Sequence, residues 1–117
     1  RVALRGWETF TQRYPLTMEM AIFRVIQEAL DNVREHARAN QVQVELEFTS
    51  DRFTVTITDN GTGFDPSQPV APNRRLGLVA MRDRAELLDG NLQVFSEPAH
   101  GVRVVLTAPT HKPHSPK

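Results

Sequence analysis

No cysteine occurs in the 117 residues, so disulfide frameworks and thiolate metal sites are excluded. Histidine is sparse: His36, His100, His111 and His114 are scattered, without the spacing of a zinc site. An excess of one charge sign is also missing, because fourteen basic side chains balance fourteen acidic ones. That balance supports neither a broad nucleic-acid footprint nor a membrane-surface patch. No apolar run reaches the length of a bilayer span, and no signal-peptide pattern opens the chain. The first residue is Arg1 rather than methionine, so a fragment of a longer protein is expected, with the parent's membrane topology left open.

What is present fits one globular domain. Apolar residues make up 39% and charged residues 24% of the chain, enough for a single hydrophobic core. From Met18 to about Ala39, Ile22, Ile26, Ala29, Val33 and Ala37 recur at spacings of three and four, which predicts a helix with one buried stripe. Pro15 and Thr17 are placed as breaker and cap, and Asn40 as the stop. The period then changes to two. Val42, Val44, Leu46 and Phe48 alternate with polar residues, and Phe53, Val55 and Ile57 alternate with threonines, predicting a hairpin of half-buried strands.

Residues 60 to 76 show no period and are expected to form a loop, longer than most connections. A second helix is expected from Gly77 to Asp89, with Leu78, Met81, Ala85 and Leu88 inward and Gly90 as its stop. Leu92–Phe95 and Val102–Leu106 read as a closing hairpin, and Val2–Leu4 as a short edge strand. Residues 1–109 are therefore expected to form the domain and 110–117 a disordered tail. Strands with one polar face need cover on one side only. The expected architecture is an α/β (α+β) two-layer sandwich: a mixed, mostly antiparallel sheet with helices on one face.

Several features carry chemistry. Glu28, Asn32 and His36 are spaced four apart and stack along one helix face. A carboxylate and a carboxamide one turn apart offer hard oxygens to a hydrated magnesium ion; the competing reading is a solvated polar face. Asp59-Asn60-Gly61-Thr62-Gly63-Phe64 ends a strand. Its carboxylate can accept from an exocyclic amine such as that of adenine, and its glycines admit a ring or phosphate close to the main chain. An ordinary Asn-Gly turn explains the same residues. Gly77 at an expected helix start would expose N–H groups to an anion, with Leu78 and Arg84 following. Arg84 could equally pair with Glu86 or Asp89. Gly101 is adequately explained as a turn residue.

The order of these features resembles the HATPase_c (GHKL, Bergerat-fold) family, and more narrowly the ATP-binding domain of NarL-associated (HisKA_3-type) histidine kinases. Arg24–Ala37 resembles the N box, Asp59–Phe64 the G1 box, and Leu76–Val94 the G2 box with its following helix and strand; Gly101–Pro109 resembles the closing strand. The resemblance covers residues 18–109. It implies ATP and Mg2+ as cofactors, with Asn32 as magnesium ligand and Glu28 as base or water-orienting group, able to reach the metal through water. Asp59 would read adenine, Gly61, Gly63 and Gly77 would frame the lid, and His36 would lie near the phosphates. Phe64, Leu78, Arg84 and Gly101 would complete the ATP site.

Phosphoryl transfer to a histidine on a separate helical dimerisation domain is implied, as is a NarL/LuxR-type response regulator, with no nucleic acid bound. The fragment is expected to be monomeric and cytoplasmic, its parent a homodimer anchored in the inner membrane. Two positions depart from the family pattern: Arg75 stands where a glycine is frequent, and Val102 where threonine is. An anti-sigma-factor serine kinase and a nucleotide-binding module without kinase activity share the fold and are the rival readings.

Overall fold

The computed structural model describes residues 2–9, 14–37, 39, 41–63, 65, 67–69 and 72–110; of residues 2, 36, 37, 73 and 74 only the backbone is described. The elements are β1 (Val2–Arg5), α1 (Leu16–Asn32), β2 (Val42–Phe48), β3 (Arg52–Asp59), α2 (Pro72–Leu87), β4 (Asn91–Ser96) and β5 (Val102–Pro109). They form one five-stranded sheet in the order β1-β2-β3-β5-β4. β1 pairs parallel with β2, and the remaining pairs are antiparallel. A parallel pair needs a crossover, which α1 supplies. This is the expected two-layer sandwich.

The period-two segments bury alternate residues as expected. Val42, Val44 and Phe48 of β2, and Phe53, Val55, Ile57 and Asp59 of β3, turn toward the helices, joined by Leu92, Val104, Leu106 and Ala108. From α1 come Met18, Ala21, Ile22, Val25 and Ala29, and from α2 Met81 and Ala85. Val25, Phe53, Val55, Met81 and Leu106 have no exposed surface, each contributing about 1.5–3 kcal/mol of burial. Tyr14, Phe48 and Phe53 stack in series, with centroids 5.2 and 5.4 Å apart. The register sets Phe48 opposite Phe53 and Val42 opposite Asp59, so this aromatic stack seals the end of the sheet away from Asp59.

Helix boundaries differ from the periodicity. α1 begins at Leu16, and Thr17 lies exposed within the first turn instead of capping it. Glu19 takes over part of that task, its carboxylate accepting the Tyr14 N–H at 2.9 Å. The regular helix ends at Asn32 and continues as a wider π-turn over Val33–Ala37. Asn40, expected as the stop, lies outside the described residues.

α2 begins at Pro72, five residues before the expected Gly77. Proline is favoured in a first turn, where no N–H is needed, and arginine and leucine are good helix formers. The helix stop also differs. Asp89 takes the left-handed position (φ 55); its N–H donates to Glu86 O and the Gly90 N–H to Ala85 O, a Schellman arrangement. Gly90 is needed for closeness instead, because a β-carbon there would stand 2.5 Å from Thr107 O. Thr110, assigned to the tail, is buried; its hydroxyl donates to Ser50 O at 2.9 Å and its N–H to Asp51 O at 3.0 Å. The ordered domain therefore includes Thr110, and 111–117 lie outside the described residues.

Candidate functional site

The alternation that buries Phe53, Val55 and Ile57 also turns Asp59 toward the helix layer, where it is only 6% exposed. An ionised side chain there needs partners. The Gly61 N–H donates to Asp59 Oδ1 at 2.7 Å; among the described residues it is the carboxylate's only donor. Oδ2 is left able to accept from something that is not protein.

The backbone leaving β3 is held on two sides. The Asn60 N–H donates to Gln41 O at 3.3 Å, and the Gln41 N–H donates to Asn60 Oδ1 at 3.1 Å. On the other side lies the β4–β5 turn. Gly101 (φ 77) leaves no room for a side chain, since a β-carbon would stand 2.1 Å from Asp59 O and 3.2 Å from Asp59 Oδ1. Gly63 (φ 65) is equally tight, with Glu97 O at 2.2 Å and Gly101 O at 2.8 Å from that position. Both glycines thus have a stronger reason than turn chemistry: main chain meets main chain around the carboxylate. Gly101 was named from the resemblance, but the rest of this turn was illegible as a site element, because only the tertiary register brings Glu97 and Ala99 against residues 62 and 63.

A second group lies between the helices. Glu28 and Asn32 stand one turn apart on α1, both half-buried. Gly77 of α2 crosses them so closely that a β-carbon would be 3.0 Å from Glu28 Oε1 and 3.4 Å from both Asn32 amide atoms. Among the described residues neither Glu28 nor Asn32 has a hydrogen-bond or ion-pair partner. Gly77 lies within α2, so its expected role as a helix-start anion site does not hold; α2 begins earlier because its arginines and leucine continue the helix N-terminally. What Gly77 provides is room beside two unpaired polar side chains.

The two groups occupy the same face and the same end of the molecule. Asp59 faces the helices, α1 touches β3, and the π-turn that follows α1 ends at Ala37, five residues before Val42, the register partner of Asp59. Leu78 is half-buried against the core. Arg84 is half-buried and makes no ion pair with Glu86 or Asp89; it lies seven residues beyond Gly77, about 10 Å along the helix. Val102 faces the helix layer beside Gly101 and packs on the core, so the departure from threonine puts a methyl there. Arg75 is exposed. Phe64 and the side chain of His36 lie outside the described residues. In the loop, the exposed Asp65 carboxyl is held below its usual value by the Ser67 hydroxyl and then the Ser67 N–H.

Known proteins with this arrangement are numerous. The chain is 40% identical over 98 residues to the signal transduction histidine-protein kinase/phosphatase DegS of Brevibacillus brevis, covering 84% of this chain and 25% of that protein. It is 34% identical over 103 residues to DegS of Bacillus subtilis (strain 168), covering 87% and 27%. The chain thus spans about a quarter of the length of these relatives. Among solved structures, the histidine kinase domain of the Erythrobacter litoralis EL346 blue-light activated histidine kinase superposes with a TM-score of 0.74 at 20% identity, over 93% of this chain and 54% of that one. At that identity the likeness establishes the fold.

No helix among the described residues is long and apolar enough to cross a membrane. The family described as histidine kinase-, DNA gyrase B- and HSP90-like ATPase matches residues 17–112, spanning both helices, four of the five strands and every site residue above; the chain belongs to this family and is an ATP-binding domain of the histidine-kinase type.

Proposed function

We propose that Asp59 reads the adenine of ATP, that Glu28 and Asn32 serve the metal-bound phosphates, and that the γ-phosphate passes to a histidine on a separate helical dimerisation domain. One observation carries this reading: Asp59 is buried and has a single donor among the described residues. A carboxylate oxygen left without a partner in such a place costs stability. It is matched by a ligand with an N–H donor, which the exocyclic amine of adenine supplies.

The donor set on α1 fits magnesium carried by the nucleotide. Among the described residues no three His, Asp or Glu side chains form a metal-holding group, and magnesium keeps its waters and takes few protein oxygens. Asn32 would ligate through its carbonyl oxygen, and Glu28 would orient a water or accept a proton. When bound, the ion neutralises charge on the phosphates. The protein's own contribution is then positioning, which suits an in-line transfer with a loose transition state. His36 is assigned to the phosphates by the resemblance to the family's N box. Gly61, Gly63, Phe64, Gly77, Leu78, Arg84 and Gly101 would line or frame the ATP site. In the parent, a homodimer, the regulator receiving the phosphate would be of the NarL/LuxR type.

The test offers the purified domain γ-labelled ATP with two candidate acceptors, an isolated histidine-bearing dimerisation domain and a serine-bearing antagonist protein. Label on the histidine supports the proposal. Label on the serine alone, or on neither with ATP bound, overturns it in favour of an anti-sigma-factor kinase or a binding module.

A further inference from the structure

We propose that the β4–β5 turn, braced by the Ser96 hydroxyl, is the positioning device that gives the site its preference for adenine. The inference rests on the reading of Asp59 as the base-contacting carboxylate. One bond closes this turn on itself, and two contacts tie it to the segment that follows Asp59. The Ser96 hydroxyl donates to Gly101 O at 3.0 Å, closing the hairpin below its five-residue loop. The Ala99 N–H donates to Thr62 O. Gly63 then lies against both Glu97 O and Gly101 O, where no β-carbon fits.

Gly101 is the link between them. Its carbonyl holds the Ser96 hydroxyl and lies close to Gly63, while a β-carbon on Gly101 would stand 2.1 Å from Asp59 O and 3.2 Å from Asp59 Oδ1. Whatever moves Gly101 therefore moves the carboxylate and the Gly61 N–H that fixes its rotation. The turn also keeps a left-handed alanine, Ala99 (φ 69), a conformation retained only where its surroundings over-determine it. Base discrimination by one carboxylate depends on aim. A displaced Oδ2 still repels or accepts in a general way, but it loses its advantage for a 6-amino over a 6-oxo purine. Ser96 acts through Gly101, so it is a positioning residue.

The experiment compares the parent domain with Ser96→Ala, Ser96→Cys and Ser96→Thr, measuring Kd for Mg-ATP and Mg-GTP by calorimetry and Tm for each. Cysteine fills nearly the same space with a weaker donor, which covers an alanine variant that fails to fold. Affinity for ATP should fall about three- to tenfold in the alanine variant, the worth of one neutral hydrogen bond. GTP affinity should change little, so the ATP:GTP ratio falls, less so for cysteine, and threonine restores it. Variants that lose Tm but keep the parent's ratio would show a merely structural role and overturn the proposal. A parent without preference for ATP overturns the reading of Asp59 as well, so the two failures are distinguishable.

Discussion

At the scale of single residues, Asn32 and Glu28 make separable predictions although they share a helix face. Asn32→Ala should lower ATP affinity in the presence of magnesium by about tenfold, the worth of one ligand or hydrogen bond. Without magnesium, parent and variant should bind alike, and titrations under both conditions check this. Glu28→Gln keeps the shape and loses the charge. Binding should be spared while single-turnover transfer to an acceptor histidine slows by about 10²–10⁴-fold, the usual contribution of a positioned acid or base. A variant that transfers at the parental rate removes Glu28 from the chemistry. These residues were legible because four-residue spacing is a local property of one helix. Ser96 was not legible, since its partner Gly101 lies across a turn and Gly101 meets Asp59 only in the folded sheet.

Among the elements, the strands and the core of both helices follow directly from their periods: Val42 to Phe48 and Phe53 to Asp59 alternate as the residues do. Boundaries and glycines did not follow. Pro72 looks like a breaker in sequence but begins α2, because a first turn needs no N–H from it. Gly90 looks like a helix stop, yet Asp89 makes the left-handed turn while Gly90 lies against β5. Asp89→Gly should then raise stability by about 1 kcal/mol, the cost of the left-handed conformation in a non-glycine residue. Gly90→Ala should lower it by about 1–3 kcal/mol through overpacking against backbone. Thermal unfolding of both variants checks the pair, and the opposite order would contradict the assignment.

Gly77 separates stability from function within α2. A β-carbon there meets Glu28 Oε1, the far end of a flexible side chain, at 3.0 Å. Gly77→Ala should therefore fold, gaining up to about 1 kcal/mol of helix propensity. The same methyl displaces Glu28 and crowds Asn32, so Mg-ATP affinity should fall severalfold. Lower Tm with unchanged affinity would mean that Gly77 serves packing alone.

For the molecule as a whole, the aromatic stack closes one end of the two layers and Asp59 lies at the other end of the β2–β3 pair. The chain carries no net charge, so attraction for a nucleotide must come from locally oriented groups and not from a broad field. Family membership makes this an ATP-binding domain, and the chain covers a quarter of its curated relatives. Without an acceptor domain, hydrolysis of ATP by the domain alone should be slow, and adding that domain should accelerate loss of the γ-phosphate.

The central claim is that the open oxygen of Asp59 receives adenine. Its most direct measurement is a calorimetric titration of the parent and Asp59→Asn with a non-hydrolysable ATP analogue in magnesium. The expected result is a loss of about 10- to 100-fold in affinity, the worth of a charge-assisted hydrogen bond, with Tm changed little. Equal affinity in the two proteins would contradict the claim.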